Sequence, residues 1–504
     1  MRLLIALIGC LAITACTSFV GGIRLESNVD TSPDTIDGLL DGSAPTLNVF
    51  LVHGMGDTPE CYFDEFLEHA PASVKTAAGN ACSYEVQTVY TRHKYSFRSE
   101  AIECEDDQSC RIDTFGKLLK KSFTVDDRTI NVYAYFWDAD AASFENVFTE
   151  LDKDEGGAWI NRQLKDSIII DGFSDAAFYL GDMGEIVRDG VESALCIMTR
   201  DAVSSSFNGS RCDWPDLGSQ RAIASQLSNQ DFSFISFSLG SRIIFDGISP
   251  RAQIDTLEAR APQILSPEEL DRLMSRPEEA NCSVGGISDI EGKFRGDPVS
   301  NEAIDALSRK NILAANVIQI HMAANQLPLL GLGAIQVRQT ERETKIRDGV
   351  YRLFVDPGAT SSALDVSSQN KRIDARNAAS NQIENACSSP SLLGYLSCQK
   401  NALPRTDFCS VGKRVDSVET VQFVAFRDPN DLLGFRAAEH FSATASNLWE
   451  FYEIQHRNAP VYLWSFAWPP AAHAREAVRP QTSDTIWCGA TIARSGKIKP
   501  NNCR

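Results

Sequence analysis

Apolar residues fall into short, nearly continuous runs separated by longer mixed stretches. Leu47 to Val52 is the first strong run. Thr129 to Trp137, Phe232 to Phe237, Asn316 to Met322, Thr420 to Phe426 and Val461 to Phe466 follow. Short runs of branched and aromatic residues bounded by turn residues predict strands buried on both faces. Tyr84 to Tyr90 is a further candidate strand. Helical patterning marks Cys61 to His69, much of 142–200, 218–227, Arg242 to Ile248 and 437–456. Strands that alternate with helices in this way predict an α/β fold: a mostly parallel central sheet with helices on both faces.

Three stretches do not fit that alternation. Residues 250–313 are rich in charge and proline and read as a helical and loop insertion. Residues 358–412 are polar, contain Cys387, Cys398 and Cys409, and read as a disulfide-stapled excursion. Both are candidates for a cap over a site or for surface decoration. Residues 16–45 are polar with little apolar periodicity and read as a flexible tether, leaving 46–504 as the folded body.

The first 15 residues have the layout of an export signal. Arg2 precedes an apolar run from Leu3 to Ala15 that is short for a membrane span. Ile13-Thr14-Ala15-Cys16 resembles a bacterial lipoprotein box, which implies cleavage before Cys16, lipid on that cysteine, and attachment to the cell envelope. Thr17 after the cysteine points to the outer membrane.

Cysteine usage agrees with export. Of 14 cysteines, Cys10 leaves with the signal and Cys16 carries lipid, so an even number remains for disulfides. Near neighbours such as Cys104 and Cys110, or Cys488 and Cys503, are natural pairs, but the sequence fixes no connectivity. A net charge of −19 argues against nucleic acid or anionic lipid as an electrostatic partner.

The chemistry gathers at strand ends. After the Phe232–Phe237 run come Ser238, Leu239 and Gly240, and then a helical pattern. A serine on a sharp strand-to-helix turn between small residues is a nucleophile elbow. The first small position, ordinarily glycine, is Ser236 here. After the Leu47–Val52 run comes His53-Gly54-Met55-Gly56, a turn whose glycines let backbone amides face a substrate oxygen. After the Thr420–Phe426 run comes Asp428-Pro429-Asn430-Asp431. After Val461–Phe466 comes Ala471-Ala472-His473.

Taken in chain order, a serine, an acid and a histidine at successive strand ends resemble the α/β-hydrolase superfamily on its lipase and esterase side. The resemblance spans most of 46–480. It implies Ser238 as nucleophile, His473 as general base and Asp431 as the acid that orients it, with amides of Met55, Gly56 and Leu239 holding the oxyanion. Asp428 is the competing acid, closer to the strand end. His440 and His456 precede the last predicted strand, His321 lies within a strand, and His53 reads as structural. The expected function is cleavage of an ester or lipid-like substrate through an acyl-enzyme, with no metal or organic cofactor. A thioesterase, amidase or peptidase using the same residues is the first alternative. A non-catalytic scaffold on the same frame is the second.

Overall fold

A computed structural model of the chain describes residues 23–27, 35–36, 44–54, 61–79, 82–96, 111–137, 179–181, 183–207, 211–249, 251–274, 287–314, 316–324, 341–354, 421–427, 449–455, 461–462, 466–467, 480–492 and 497–501. The described residues include thirteen strands: β1 (Ile23–Ser27), β2 (Thr46–Val52), β3 (Glu85–Ser96), β4 (Arg111–Val125), β5 (Arg128–Phe136), β6 (Gln230–Phe237), β7 (Val317–Ala323), β8 (Val421–Arg427), β9 (Trp449–Gln455), β10 (Val461–Tyr462), β11 (Phe466–Ala467), β12 (Ala490–Ile492) and β13 (Lys497–Pro500).

Eleven of them form one mixed sheet in the order β12-β13-β1-β9-β8-β7-β6-β2-β5-β4-β3. Its centre, β9-β8-β7-β6-β2-β5, is parallel throughout. Antiparallel strands extend it at both sides. The α/β expectation of a mostly parallel sheet is therefore met, with antiparallel additions.

Alternate residues of the central strands face opposite layers. Phe50, Val52, Tyr133, Tyr135, Phe232 and Phe234 pack in one core cluster. The helices facing them are α3 (Gly184–Ser204), α4 (Gln220–Leu227), α5 (Gly240–Ile248) and α9 (Pro298–Ala314). Leu47, Val49, Leu51, Val132, Ile235 and Phe237 face the other way. They meet α1 (Tyr62–Leu67), α2 (Ala72–Ala78) and α11 (Pro480–Cys488). Burial on both faces explains why these strands read as apolar runs rather than as alternation.

A polar ladder crosses the sheet near the start of these strands. The Ser122 hydroxyl donates to Asn131 (2.8 Å), the Asn131 amide to Asn48 (3.0 Å), and the Asn48 amide to Gln230 (2.8 Å). A slip of one residue would turn these side chains to the wrong face and leave buried amides unpaired, so the ladder fixes the register.

Between α5 and β7 the chain forms a separate helical layer: α6 (Arg251–Ile264), α7 (Pro267–Met274), α8 (Ile287–Gly296) and then α9. With α10 (Glu341–Phe354) they enclose their own core of Ile254, Leu257, Leu270, Phe294, Leu307 and Val350. Helix α9 belongs to both layers, because Ala306, Ile312 and Leu313 face the sheet. Lys310, buried on α9, donates to Glu192 of α3 (3.1 Å) and to the Ser249 carbonyl at the end of α5 (2.6 Å). The layer thus joins the far end of α5 to the sheet edge where β7 begins.

Three expectations change. Residues 23–27, inside the stretch read as a tether, are strand β1, paired with β9 and β13. Residues 449–455, inside the stretch read as a helix, are strand β9, parallel to β8. The run read as the last strand, 461–466, gives instead the two-residue strands β10 and β11, paired only with each other and apart from the main sheet.

Cys61 is joined to Cys82 and Cys196 to Cys212. Cys488 is also disulfide-bonded. Disulfides therefore form, as the even count leads one to expect. Cys104, Cys110, Cys503, the signal segment, Cys16 and residues 358–412 lie outside the described residues. No helix among those described is long and apolar enough to cross a membrane.

Candidate active site at the end of the central strand

Strand β6 lies in the parallel centre, between β2 and β7. It ends at Phe237, and α5 begins at Gly240. Ser238 makes the turn between them in the left-handed region, at φ 52°. A non-glycine residue held there costs about 1–3 kcal/mol and persists only where its surroundings fix it. Here they do. The Ser238 amide donates to the Ala323 carbonyl of β7 (2.8 Å), and its own carbonyl accepts from the Ser241 amide (3.1 Å).

Two glycines allow the turn to form. A Cβ at Gly240 would lie 2.4 Å from the His53 carbonyl oxygen and 2.6 Å from that of Val52. A Cβ at Gly54 would lie 2.6 Å from the Ser238 Cβ and 2.9 Å from the Phe237 carbonyl oxygen. The first turn of α5 and the turn after β2 are thus pressed together, backbone on backbone. Gly54 lies directly against Ser238.

Ser236, standing where an elbow ordinarily has glycine, is fully buried. Its hydroxyl donates to the His321 carbonyl of β7 (3.0 Å) and lies 3.1 Å from the Ser241 hydroxyl. The side chain is accommodated because it ties β6 to its neighbour and to α5.

His53 holds the glycine turn from behind. Its Nε2 accepts from the Trp137 amide (3.3 Å), which leaves the proton on Nδ1, directed to the Gly54 carbonyl (2.9 Å). The Trp137 indole donates to the His53 carbonyl (3.2 Å), and the two rings stack with centroids 5.5 Å apart. With both ring nitrogens engaged, His53 is a clamp rather than a base, as the sequence suggested.

Beneath the elbow, α5 carries a charged group that sequence reading missed. Arg242 donates to Asp246 one turn later (2.9 Å), and the buried Tyr179 hydroxyl donates to the same carboxylate. Burial alone would raise the Asp246 pKa, but Arg242 and the Tyr179 hydroxyl hold it below the ordinary carboxylate value. Burial, followed by the charge of Asp246, pushes the Tyr179 pKa well up. The i, i+4 spacing of Arg242 and Asp246 was the available signal. Tyr179 left none.

His321 is buried in β7, with Nε2 2.9 Å from the Gln319 side-chain oxygen and Nδ1 without a hydrogen bond. Burial pulls its pKa down to about 3, so it is a neutral core residue. Among the described residues, one set of three potential metal ligands converges: Cys61, Asp64 and Cys82. The disulfide occupies both of its sulfurs.

The other predicted residues, Met55, Gly56, Asp428, Asp431, His440, His456 and His473, lie outside the described residues. The strands that precede them are placed. β8 ends at Arg427 and β9 at Gln455, and the two ends pair in register. They stand two and three strands from β6, roughly 10 and 14 Å away at the usual strand spacing. The C-terminal ends of β2, β6, β7, β8 and β9 all lie on one edge of the sheet, beside Ser238. A crevice beyond the carboxyl ends of parallel strands is the usual ligand position in such sheets.

No family model matches the chain, and neither a curated protein nor a solved structure is significantly similar to it.

Proposed function

We propose that the chain is a serine hydrolase of α/β-hydrolase type that cleaves esters through an acyl-enzyme on Ser238. One observation carries the reading. Ser238 is a left-handed non-glycine residue at a strand-to-helix turn in the middle of a parallel sheet, with Gly54 packed against it. Packing alone gives no reason for a strained serine there, since glycine would adopt that backbone without steric strain. A serine at the carboxyl end of a central parallel strand is where acyl transfer needs its nucleophile.

In the mechanism, Ser238 attacks the ester carbonyl as a histidine takes its proton. The same histidine returns the proton to the leaving alcohol, and water then releases the acyl group by the reverse sequence. The Leu239 amide makes no backbone hydrogen bond among the described residues, which suits it to hold the oxyanion. The amide of Met55 or of Gly56, following the clamped Gly54, is the proposed second donor. Losing one such donor costs about 3–4 kcal/mol of transition-state stabilisation.

Asp431 remains the proposed acid. It stands four positions beyond Arg427 and ahead of the apolar Leu432-Leu433, whereas Asp428 follows the strand end directly. His473 remains the proposed base. Strand β9 supports a second reading: His456 immediately follows Gln455, so it leaves the strand next to the acid's strand. On this reading the chain reaches the envelope through lipid on Cys16.

The direct test is a rapid-quench experiment with a short-chain aryl ester. A burst of alcohol and an acyl mass on the Ser238 peptide are expected, lost in Ser238→Ala. Alanine scanning of His456 and His473 then identifies the base. Absence of a burst and of any adduct would leave the scaffold alternative.

A further inference from the structure

The two fully described disulfides have different surroundings. Cys196 and Cys212 are buried, whereas Cys61 and Cys82 are both exposed. The exposed pair also has an acid beside it: a carboxylate oxygen of Asp64 lies within 4.8 Å of both sulfurs. Among the described residues no other three histidine, cysteine or acidic side chains converge so closely.

The three side chains are held together by more than the sulfur link. Asp64, buried on α1, accepts from the Cys82 amide and from the Tyr84 hydroxyl (2.8 Å), with Lys121 Nζ of β4 3.5 Å away. Helix α1 is anchored in turn by Phe66 and Leu67 in the core, and the Trp487 indole donates to the Phe66 carbonyl (3.0 Å). With the disulfide open, the hydrogen bond from Cys82 to Asp64 still joins the two stretches of chain, so the three donors stay near one another.

We propose that the reduced Cys61 and Cys82, together with Asp64, form a zinc site, so that this pair exchanges a disulfide for a metal ion. The inference is independent of the chemistry at Ser238. A small dithiol is the reductant. One of its thiolates attacks a cysteine sulfur and the second resolves the mixed disulfide, giving two cysteine thiols and the oxidised dithiol, with two electrons and two protons transferred. The zinc ion then displaces the two thiol protons and bonds both sulfurs and one carboxylate oxygen.

The donor set suits that ion. Thiolate and carboxylate are both ordinary zinc ligands, and three protein ligands leave a fourth position for water. Two sulfurs each about 2.3 Å from a tetrahedral zinc stand about 3.8 Å apart. Side chains on Cα atoms 5.3 Å apart reach that separation by rotation about χ1. Two thiolates and a carboxylate leave one negative charge on the zinc complex, and the Lys121 ammonium beside Asp64 balances it. Tyr84 and the Cys82 amide orient the carboxylate, as the outer partners of a metal ligand do. Exposure of both cysteines gives the ion a path in.

The experiment reduces the folded full chain with dithiothreitol, removes the dithiol by anaerobic gel filtration, and titrates cobalt(II) as a coloured stand-in for zinc. A thiolate-to-cobalt charge-transfer absorption should appear, saturate with one ion and vanish when zinc is added. It should be missing from the oxidised chain and from the reduced Cys61→Ser/Cys82→Ser variant. On the wild type itself, zinc should slow alkylation of Cys61 and Cys82 by iodoacetamide at least tenfold and leave the other cysteines unaffected, as mapped by mass spectrometry. Tyr84→Phe should weaken zinc binding roughly tenfold, and Asp64→Asn should weaken it further, with circular dichroism confirming that each variant is folded. No cobalt absorption in the reduced wild type, the same absorption in the double variant, no protection of Cys61 and Cys82 by zinc, or a folded Asp64→Asn that binds zinc as tightly as the wild type overturns the inference.

Discussion

The elbow and the helical layer after it are joined end to end in sequence but built on different terms. At Ser238 the contacts run from backbone to backbone: two glycines lie where a Cβ would come within 2.6 Å or less of a neighbouring atom. In the layer of α6 to α10, leucine, isoleucine and phenylalanine side chains interlock, and partly exposed ion pairs such as Arg260–Asp297 and Lys293–Glu269 lie outside them. Side chains can shift to absorb a change. Backbone held between strands cannot. Gly54 and Gly240 of the elbow should therefore tolerate almost no substitution, and the helical layer should tolerate many at a modest cost.

The sharpest way to break this comparison is Gly240→Ala. The new methyl would meet two carbonyl oxygens of the β2 turn, so we expect a loss of about 3 kcal/mol, the upper end of overpacking costs. Ester hydrolysis should disappear even in whatever fraction folds. Urea denaturation beside the ester assay measures both. A variant of wild-type stability and activity would show that the elbow is not tightly built.

The matching change in the helical layer is Leu257→Ala, at a fully buried side chain. The expected loss is about 2–3 kcal/mol, because a small helical cluster can partly close over the cavity. Here turnover per folded molecule should stay near the wild-type value. If activity falls with stability, the two regions are coupled more closely than their separate cores indicate.

Acid should sharpen the contrast through His321, whose carbonyl holds Ser236 beside the elbow. In the folded chain this histidine protonates only near pH 3, whereas unfolded it does so near 6.5. Between those values the unfolded chain binds more protons, so stability falls as pH drops below about 6.5 and is unaffected above it. At pH 5 this group alone should cost about 2 kcal/mol. Urea midpoints at pH 7.5 and pH 5 should differ by less in His321→Gln than in the wild type, and equal differences would refute the assignment.

The smallest effect has the opposite sign. Ser238→Gly relieves the left-handed serine, and after the entropy cost of glycine we expect a gain of about 1 kcal/mol, with complete loss of activity. A site whose removal stabilises the fold bears the mark of function kept at the expense of stability. Unchanged or lower stability would mean that the turn is not strained.

The same contrast explains what could be read from the chain. Strands β2, β5, β6, β7 and β8 are buried on both faces, so their apolar runs stood out, and the small residues around Ser238 marked the turn. Strand β9 did not stand out. Trp449-Glu450-Phe451-Tyr452-Glu453-Ile454-Gln455 places glutamates three apart, which imitates a helix surface, although Glu453 is fully buried. Strand β1 is a five-residue antiparallel addition in polar surroundings. Its partners β9 and β13 lie hundreds of positions away, and no local pattern announces such pairing. Misplacing β9 also hid Gln455 as a strand end, so His456 read as preceding the last strand rather than as leaving one. Tyr179 against Asp246 is legible only in three dimensions.

One measurement bears most directly on the central claim. The folded wild-type chain is incubated with a fluorophosphonate probe, digested, and the modified residue identified by mass spectrometry, with Ser238→Ala treated in parallel. A single adduct on the peptide containing Ser238, absent from a Ser238→Ala protein of wild-type circular dichroism, is the predicted result. No adduct on the wild type, or an adduct that survives in Ser238→Ala, would contradict it.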